Sequence, residues 1–237
     1  MDDESAKAAQ EIAKATGKAI ELAQKVGGFL NKVVGDAAAE LGGAIHDWAR
    51  LFRYKNLLRL QDKVEEIHAA RKLQGRNIPI APRFAIPLLQ AASEEDDESL
   101  QNMWAALIAN ATDPETQLEP RKIFTDILSS LEPLDAEILR YLAGQGWLMH
   151  RNVPGGGITV SKLSSSLNAP EKRIQISLQN LHRLGCVIDE YKATWDQIDT
   201  TSFGQRVTDP KTTFRPSPLG FELLEACDSG VSRTSKT

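Results

Sequence analysis

Residues 170–188 read PEKRIQISLQNLHRLGCVI. Within this stretch Ile174, Leu178, Leu181 and Leu184 recur every three or four positions, the spacing that places apolar side chains on one face of a helix. Ala169-Pro170-Glu171 opens that helix, Gly185 stops it, and Cys186-Val187-Ile188 is the short apolar run expected of a strand. A helix halted by glycine and followed at once by a strand predicts a mainly helical domain carrying a small sheet.

Working outward, Leu134 to Ala143 is a helix with Ile138, Leu139 and Leu142 inward. After Gly155-Gly156-Gly157 comes a second, short helix that Ser161 caps and that ends at Leu167-Asn168. Beyond the strand, a polar stretch runs to Thr208, Thr213 to Pro216 returns as a second strand, and Pro218 to Ala226 closes as a helix. Three helices, a two-stranded wing and a closing helix is the order of a winged-helix domain. Ser217-Pro218-Leu219-Gly220-Phe221-Glu222-Leu223-Leu224 resembles the T-x-L-G-x-x-L closing signature of such domains.

On the N-terminal side lies a helical middle. Ile78 to Pro82 is extended, because a residue before proline avoids the helical region. A short helix starts at Pro87, and Ser93 caps a further helix beginning at Glu94, whose acids sit at its positive end. Leu100, Met103, Trp104, Leu107 and Ile108 form its core face, Asp113-Pro114 stops it, and Arg121 to Leu128 is one more helix. Trp104 and Trp48 read as core or interface residues.

The first part of the chain carries a row of apolar residues close to helical spacing: Ile12, Ala15, Ala19, Leu22, Val26, Leu30, Val33, Ala37, Leu41, Ile45, Trp48 and Phe52. Its opposite face mixes Glu11, Lys14, Lys18, Glu21, Lys25, Lys32, Asp36, Asp47 and Arg50. Glycines at 17, 27, 28, 35, 42 and 43 weaken such a helix, each by about 0.5 to 1 kcal/mol, so another surface must cover the stripe. Ile12, Leu22, Val26, Leu30, Val33, Leu41, Ile45, Trp48 and Phe52 are therefore candidates for a membrane or oligomer face. A following helix, Tyr54 to Leu73, continues the pattern and ends at Gly75. The expected division is an amphipathic arm over 1–76, a helical middle over 77–130, a winged-helix-like domain over 131–227 and a disordered tail over 228–237.

The chain has 237 residues, 41% of them hydrophobic and 25% charged, which suits folded domains and neither a disordered chain nor a polytopic membrane protein. A net charge of -4 opposes a role in coating nucleic acid. Residues 51–80 are nonetheless basic, through Arg53, Lys55, Arg59, Lys63, Arg71, Lys72 and Arg76. Glu94, Glu95, Asp96, Asp97 and Glu98 make the next stretch acidic, and the two can pair. Lys172, Arg173, Gln175, Gln179 and Arg183, with Asn180 and His182, are the candidate nucleic-acid face of the third C-terminal helix. Residues 131–237 carry as many acids as bases, however, so the attraction to phosphate is weak.

Cys186 and Cys227 read as reduced, partly buried thiols of a cytosolic protein, and the start lacks the basic and apolar regions of a secretory signal. No run reaches the ~18 apolar residues of a membrane span. His46, His68, His150 and His182 lack metal-ligand spacing, and Gly155–Gly157 lacks the lysine of a phosphate loop. Glu94 to Glu98 suits a helix dipole better than a cation. No serine or cysteine stands in a nucleophile elbow, so neither catalysis nor a cofactor is expected.

Pro87 to Asp97, then Leu100, Trp104-Ala105 and Asn110, followed by Phe124, Ile127-Leu128, Leu131 and Leu134-Asp135, resemble the abortive infection alpha family over roughly residues 20 to 190. The central pieces are P-L-L-x-A-A-S-x-E-D-D and W-A-x-L-x-A-N. The resemblance implies bacterial defence against phage, in which an infected cell arrests or dies, and it brings no catalytic residues. The expectation is a defence protein whose arm self-associates into a homo-oligomer or attacks inner-membrane lipid, in the cytoplasm or peripheral at the inner membrane. A phage or host protein is then the partner of the winged-helix part. The alternative is a transcriptional or nucleic-acid-sensing regulator.

Overall fold

The computed structural model describes residues 24–25, 27–33, 49–73, 75–116, 118, 121–144, 157–191 and 212–230. The chain is mainly helical with one small antiparallel sheet, and it divides into two compact units. Unit 1 takes in the described residues of 1–129 together with 227–230, and unit 2 is 130–226. The boundary expected at 76/77 thus falls inside unit 1.

Unit 1 is built on helices α1 (Ala49–Ala70), α2 (Pro82–Glu94), α3 (Glu98–Thr112) and α4 (Lys122–Leu128), with a further helical stretch over residues 27–33. α3 is its centre: from Leu100 to Thr112 every residue except Asn102 is buried. The sequence marks only one apolar face here, but Ala105, Ala106, Ala109 and Ala111 occupy the other sides and let neighbours approach closely. A helix enclosed all round is what such composition allows. α1 packs on both α2 and α3 through Leu60, Val64 and Ile67, and α1 runs without a break through Phe52 and Tyr54, where a junction between two helices was expected.

Two helix starts differ from expectation. α2 begins at Pro82, not Pro87: a proline in the first turn lacks only an N–H that would have no helical partner, and starting there puts Ala85, Leu88, Leu89 and Ala92 on one buried face. Pro87 then lies inside the helix. α3 is capped by Asp97, whose Oδ1 accepts from the N–H groups of Ser99 (2.9 Å) and Leu100 (3.0 Å). Ser93 stays in α2, its Oγ donating to the Gln90 carbonyl while its own carbonyl accepts from the buried Asn56 side chain at 3.0 Å.

The basic and acidic runs do pair. Arg53 meets Glu94, Lys63 meets Glu98 at 2.5 Å, Arg71 meets Asp113 at 3.2 Å and Arg76 meets Glu115 at 3.4 Å, joining α1 and the turn after it to the ends of α2 and α3. Of these, the exposed pairs Arg53–Glu94, Lys63–Glu98 and Arg76–Glu115 contribute about 0 to 1 kcal/mol each. Arg71 also donates to the Ser229 carbonyl at 2.7 Å, and the Asn110 side chain donates to the Asp228 carbonyl at 3.1 Å. Residues 228–230, expected to begin a disordered tail, are therefore held on unit 1.

Unit 2 comprises α5 (Pro133–Gly144), α6 (Val160–Leu167), α7 (Glu171–Arg183), β1 (Val187–Tyr191), β2 (Thr212–Pro216) and α8 (Pro218–Ala226). α7 packs on α5 and α6, burying Ile174, Leu178 and Leu181. β1 and β2 pair antiparallel with Val187 opposite Pro216 and Asp189 opposite Phe214, and Ile158 forms a two-bond bridge to Phe214 on the other edge. Thr159, not Ser161, caps α6, and Asn168 ends it at φ 49°. Ser217 positions α8: its hydroxyl donates to the Gly185 carbonyl and accepts from the Gly220 N–H.

Candidate functional site

α7 presents Lys172, Arg173, Gln175, Gln179 and Arg183 on its exposed side, as expected, with Ile176 among them at 58% exposure. Their neighbours modify that face. The Asn180 amide donates to Asp135 Oδ2 at 2.7 Å and to the Ser130 carbonyl at 2.9 Å, tying α7 to the start of α5. Asp135 also accepts from the Glu132 N–H at 2.9 Å, closing the first turn of α5. Asn180 is thus a structural residue. Its remaining oxygen accepts from the Arg183 guanidinium at 2.7 Å, and His182 stands 3.4 Å from Asp189 of β1. Among the described residues Lys172 and Arg173, in the first half of α7, stand in no ion pair, and Gln175 and the exposed Ile176 lie beside them.

The N-terminal row divides differently. Leu30 and Val33 are 7% and 2% exposed, as is their neighbour Phe29 at 2%. These side chains, candidates for a membrane or oligomer face, are covered within the chain. Burial of each contributes about 1.5 to 3 kcal/mol. Ile12, Leu22, Val26, Leu41, Ile45 and Trp48 lie outside the described residues, and Phe52 is placed only as part of the α1 backbone.

Beside residues 31 and 32 opens a cavity of about 400 Å³, lined by Asn31, Lys32, Glu65, His68, Asn77 and Pro79 among others. His68 Nε2 stands 3.0 Å from Thr112 Oγ1, whose hydroxyl is also 2.8 Å from the Ile108 carbonyl, and Nδ1 stands 3.2 Å from the Asn77 side-chain amide, contacts that a neutral imidazole makes in either tautomer. Burial holds the imidazole below its usual pKa, in keeping with that neutral form. Among the described residues Asn77 Oδ1 is buried without a hydrogen-bond partner. Glu65 accepts from Lys32 Nζ at 3.0 Å and from Gln61 at 3.1 Å; burial pushes its pKa up, but these bonds outweigh it and the net shift is downward. Sequence reading missed this cluster because its members stand far apart along the chain.

Other candidates have structural roles. Asp97 caps α3, Glu94 and Glu98 pair with cations, and Glu95 accepts from the N–H groups of Asp96 and Asp97. Cys186 is buried and its thiol is pushed up to about 11, first by burial and then by the charge of Asp135, which removes the thiolate needed for nucleophilic work near neutral pH. Among the described residues no group of three or more His, Cys, Asp or Glu could hold a metal ion, and no helix is long and apolar enough to cross a membrane.

A helical unit enclosing α3, followed by a second unit of four helices and a two-stranded sheet, is the frame these surfaces share. A family model described as abortive infection alpha matches residues 53–227, well over half the chain, and the chain belongs to that family. Membership points to abortive-infection defence. The match runs to the end of α8, further than the resemblance to residue 190 suggested, and it leaves the apolar row before residue 53 outside. No curated protein and no solved structure matches the chain.

Proposed function

We propose that this chain is an abortive-infection protein that acts without catalysis, its N-terminal apolar row joining copies of the chain to one another, with the inner membrane as the other surface such a row can engage. The observation that carries the reading is the row itself, from Ile12 to Phe52, at helical spacing and ahead of the family-matched region. Its polar face mixes both charge signs, which favours a protein surface over anionic lipid. That Leu30 and Val33 pack against protein supports the same preference.

Unit 2 is read as a winged helix that holds a partner protein. Support comes from its element order: a helix, a one-residue strand at Ile158, two helices, two strands and a closing helix. Ser217 and Gly220, the residues of the closing signature, make the contacts that set α8. The alternative, a nucleic-acid-reading regulator, draws on Lys172, Arg173, Gln175 and Gln179.

Growth and membrane potential of cells expressing the full chain or residues 53–237, together with light scattering of both purified chains, test the proposal. Loss of growth arrest and of self-association without residues 1–52 is expected. Arrest that survives the deletion overturns it. Dye leakage from vesicles by the wild type but not by Leu22→Glu would move the target to lipid. A gel shift at low salt that Lys172→Ala with Arg173→Ala abolishes would favour the alternative.

A further inference from the structure

We infer that the contact made by residues 29–33 is an autoinhibitory latch, which keeps part of the N-terminal row on the chain's own body until it is displaced. This rests on the reading that the row is what acts. The latch has three parts. Phe29, Leu30 and Val33 are buried. The Ile80 N–H donates to the Val33 carbonyl at 2.8 Å. Lys32 Nζ pairs with Glu65 at 3.0 Å.

Its construction suits release. The ion pair is 58% and 45% exposed at its two ends, so water and salt screen it. The cavity lined by Asn31, Lys32, Glu65, His68 and Asn77 opens beside this pair. Gly27 and Gly28 lead into the latched residues with nothing within 4 Å of where a Cβ would stand, so backbone freedom and an absence of packing both favour opening there. The arm side of the latch precedes the family-matched region, and its body side, Glu65, His68, Asn77 and Ile80, lies inside it.

Hydrogen exchange of residues 27–33 in the full chain, read beside growth arrest, tests the latch in the wild type, Glu65→Lys and the swap Lys32→Glu with Glu65→Lys. Glu65 also accepts from the buried Gln61, so the swap, which restores the pair with Lys32, separates loss of the pair from loss of that bond. Glu65→Lys is expected to speed exchange about fivefold, as loss of one exposed pair allows, and to strengthen arrest; the swap returns both toward wild type. Wild-type exchange at the rate of an unstructured segment overturns the latch, as does unchanged exchange in Glu65→Lys, or faster exchange with unchanged arrest. Leu22→Glu in the full chain, run alongside, separates the two ideas: full arrest from it defeats the reading of the row, whereas lost arrest from it with no gain in Glu65→Lys defeats the latch alone.

Discussion

The carbonyl oxygen of Cys186 occupies the place where a side chain at Gly220 would begin: a Cβ there would stand 2.1 Å away. Because the obstacle is backbone, Gly220→Ala must displace α8 from the start of β1. We expect unit 2 to lose about 3 kcal/mol, the upper part of the overpacking range, measured by urea denaturation. Ser217→Ala, which removes a hydroxyl that both donates and accepts, costs about 1 kcal/mol. A Gly220→Ala chain as stable as wild type would mean that α8 does not cross Cys186 this closely.

Burial also sets the order in which the two thiols react. Cys186 is enclosed and its pKa stands near 11, while Cys227 is half-buried. At pH 8 the Cys186 thiolate is present at roughly one part in a thousand. Iodoacetamide should therefore label Cys227 first, and Cys186 only in denaturant. Mass spectrometry of the native chain with both thiols labelled at equal rates would contradict the packing of β1.

These tests fall on features of unequal legibility. The α7 stripe of Ile174, Leu178 and Leu181, its stop at Gly185 and the closing helix from Pro218 to Ala226 are local patterns, and the folded chain keeps them. The choice between Ser93 and Asp97 as a cap is not local. Both residues are good caps, and Asp97 wins because α2, begun at Pro82, still buries Ala92 and Ser93 at its end. Leu30 and Val33 are a plainer case. Their spacing shows that something covers them, but the N–H that donates to the Val33 carbonyl belongs to Ile80, remote in sequence. Asn180 looks like a surface residue until α5 supplies Asp135. Periodicity identifies faces; which surface meets a face depends on chain that periodicity does not see.

His68 makes stability depend on pH. Burial is the main cause of its lowered pKa, the Ala109 backbone opposes it, Arg71 and Lys32 lower it further, and Asp113 raises it. The unfolded imidazole takes up a proton near the usual 6.5, while the folded one resists until lower pH. The contribution is therefore complete above about pH 6.5 and is lost progressively as pH falls toward the folded pKa. His68→Gln keeps a donor and an acceptor without titrating. Its denaturation midpoint should fall less than that of wild type between pH 7.5 and 5.5; equal losses would show that His68 does not resist protonation in the folded state.

Arg71 provides the most demanding test of unit 1, because one guanidinium serves two purposes. It faces Asp113, which is 4% exposed and whose other oxygen accepts from the Glu115 N–H at 2.8 Å, and it also reaches the Ser229 carbonyl. Removing it leaves a buried carboxylate without its cation, a loss of about 3 kcal/mol, and frees residues 228–230. Asn110→Ala removes one bond to the same segment but keeps the ion pair, so it should cost about 1 kcal/mol. Denaturation with hydrogen exchange at 228–230 separates the roles: Arg71→Ala should lose both stability and protection, and Asn110→Ala mainly protection. Equal destabilisation by the two would mean that the Asp113 pair contributes little, and that the segment after α8 is held by its own packing.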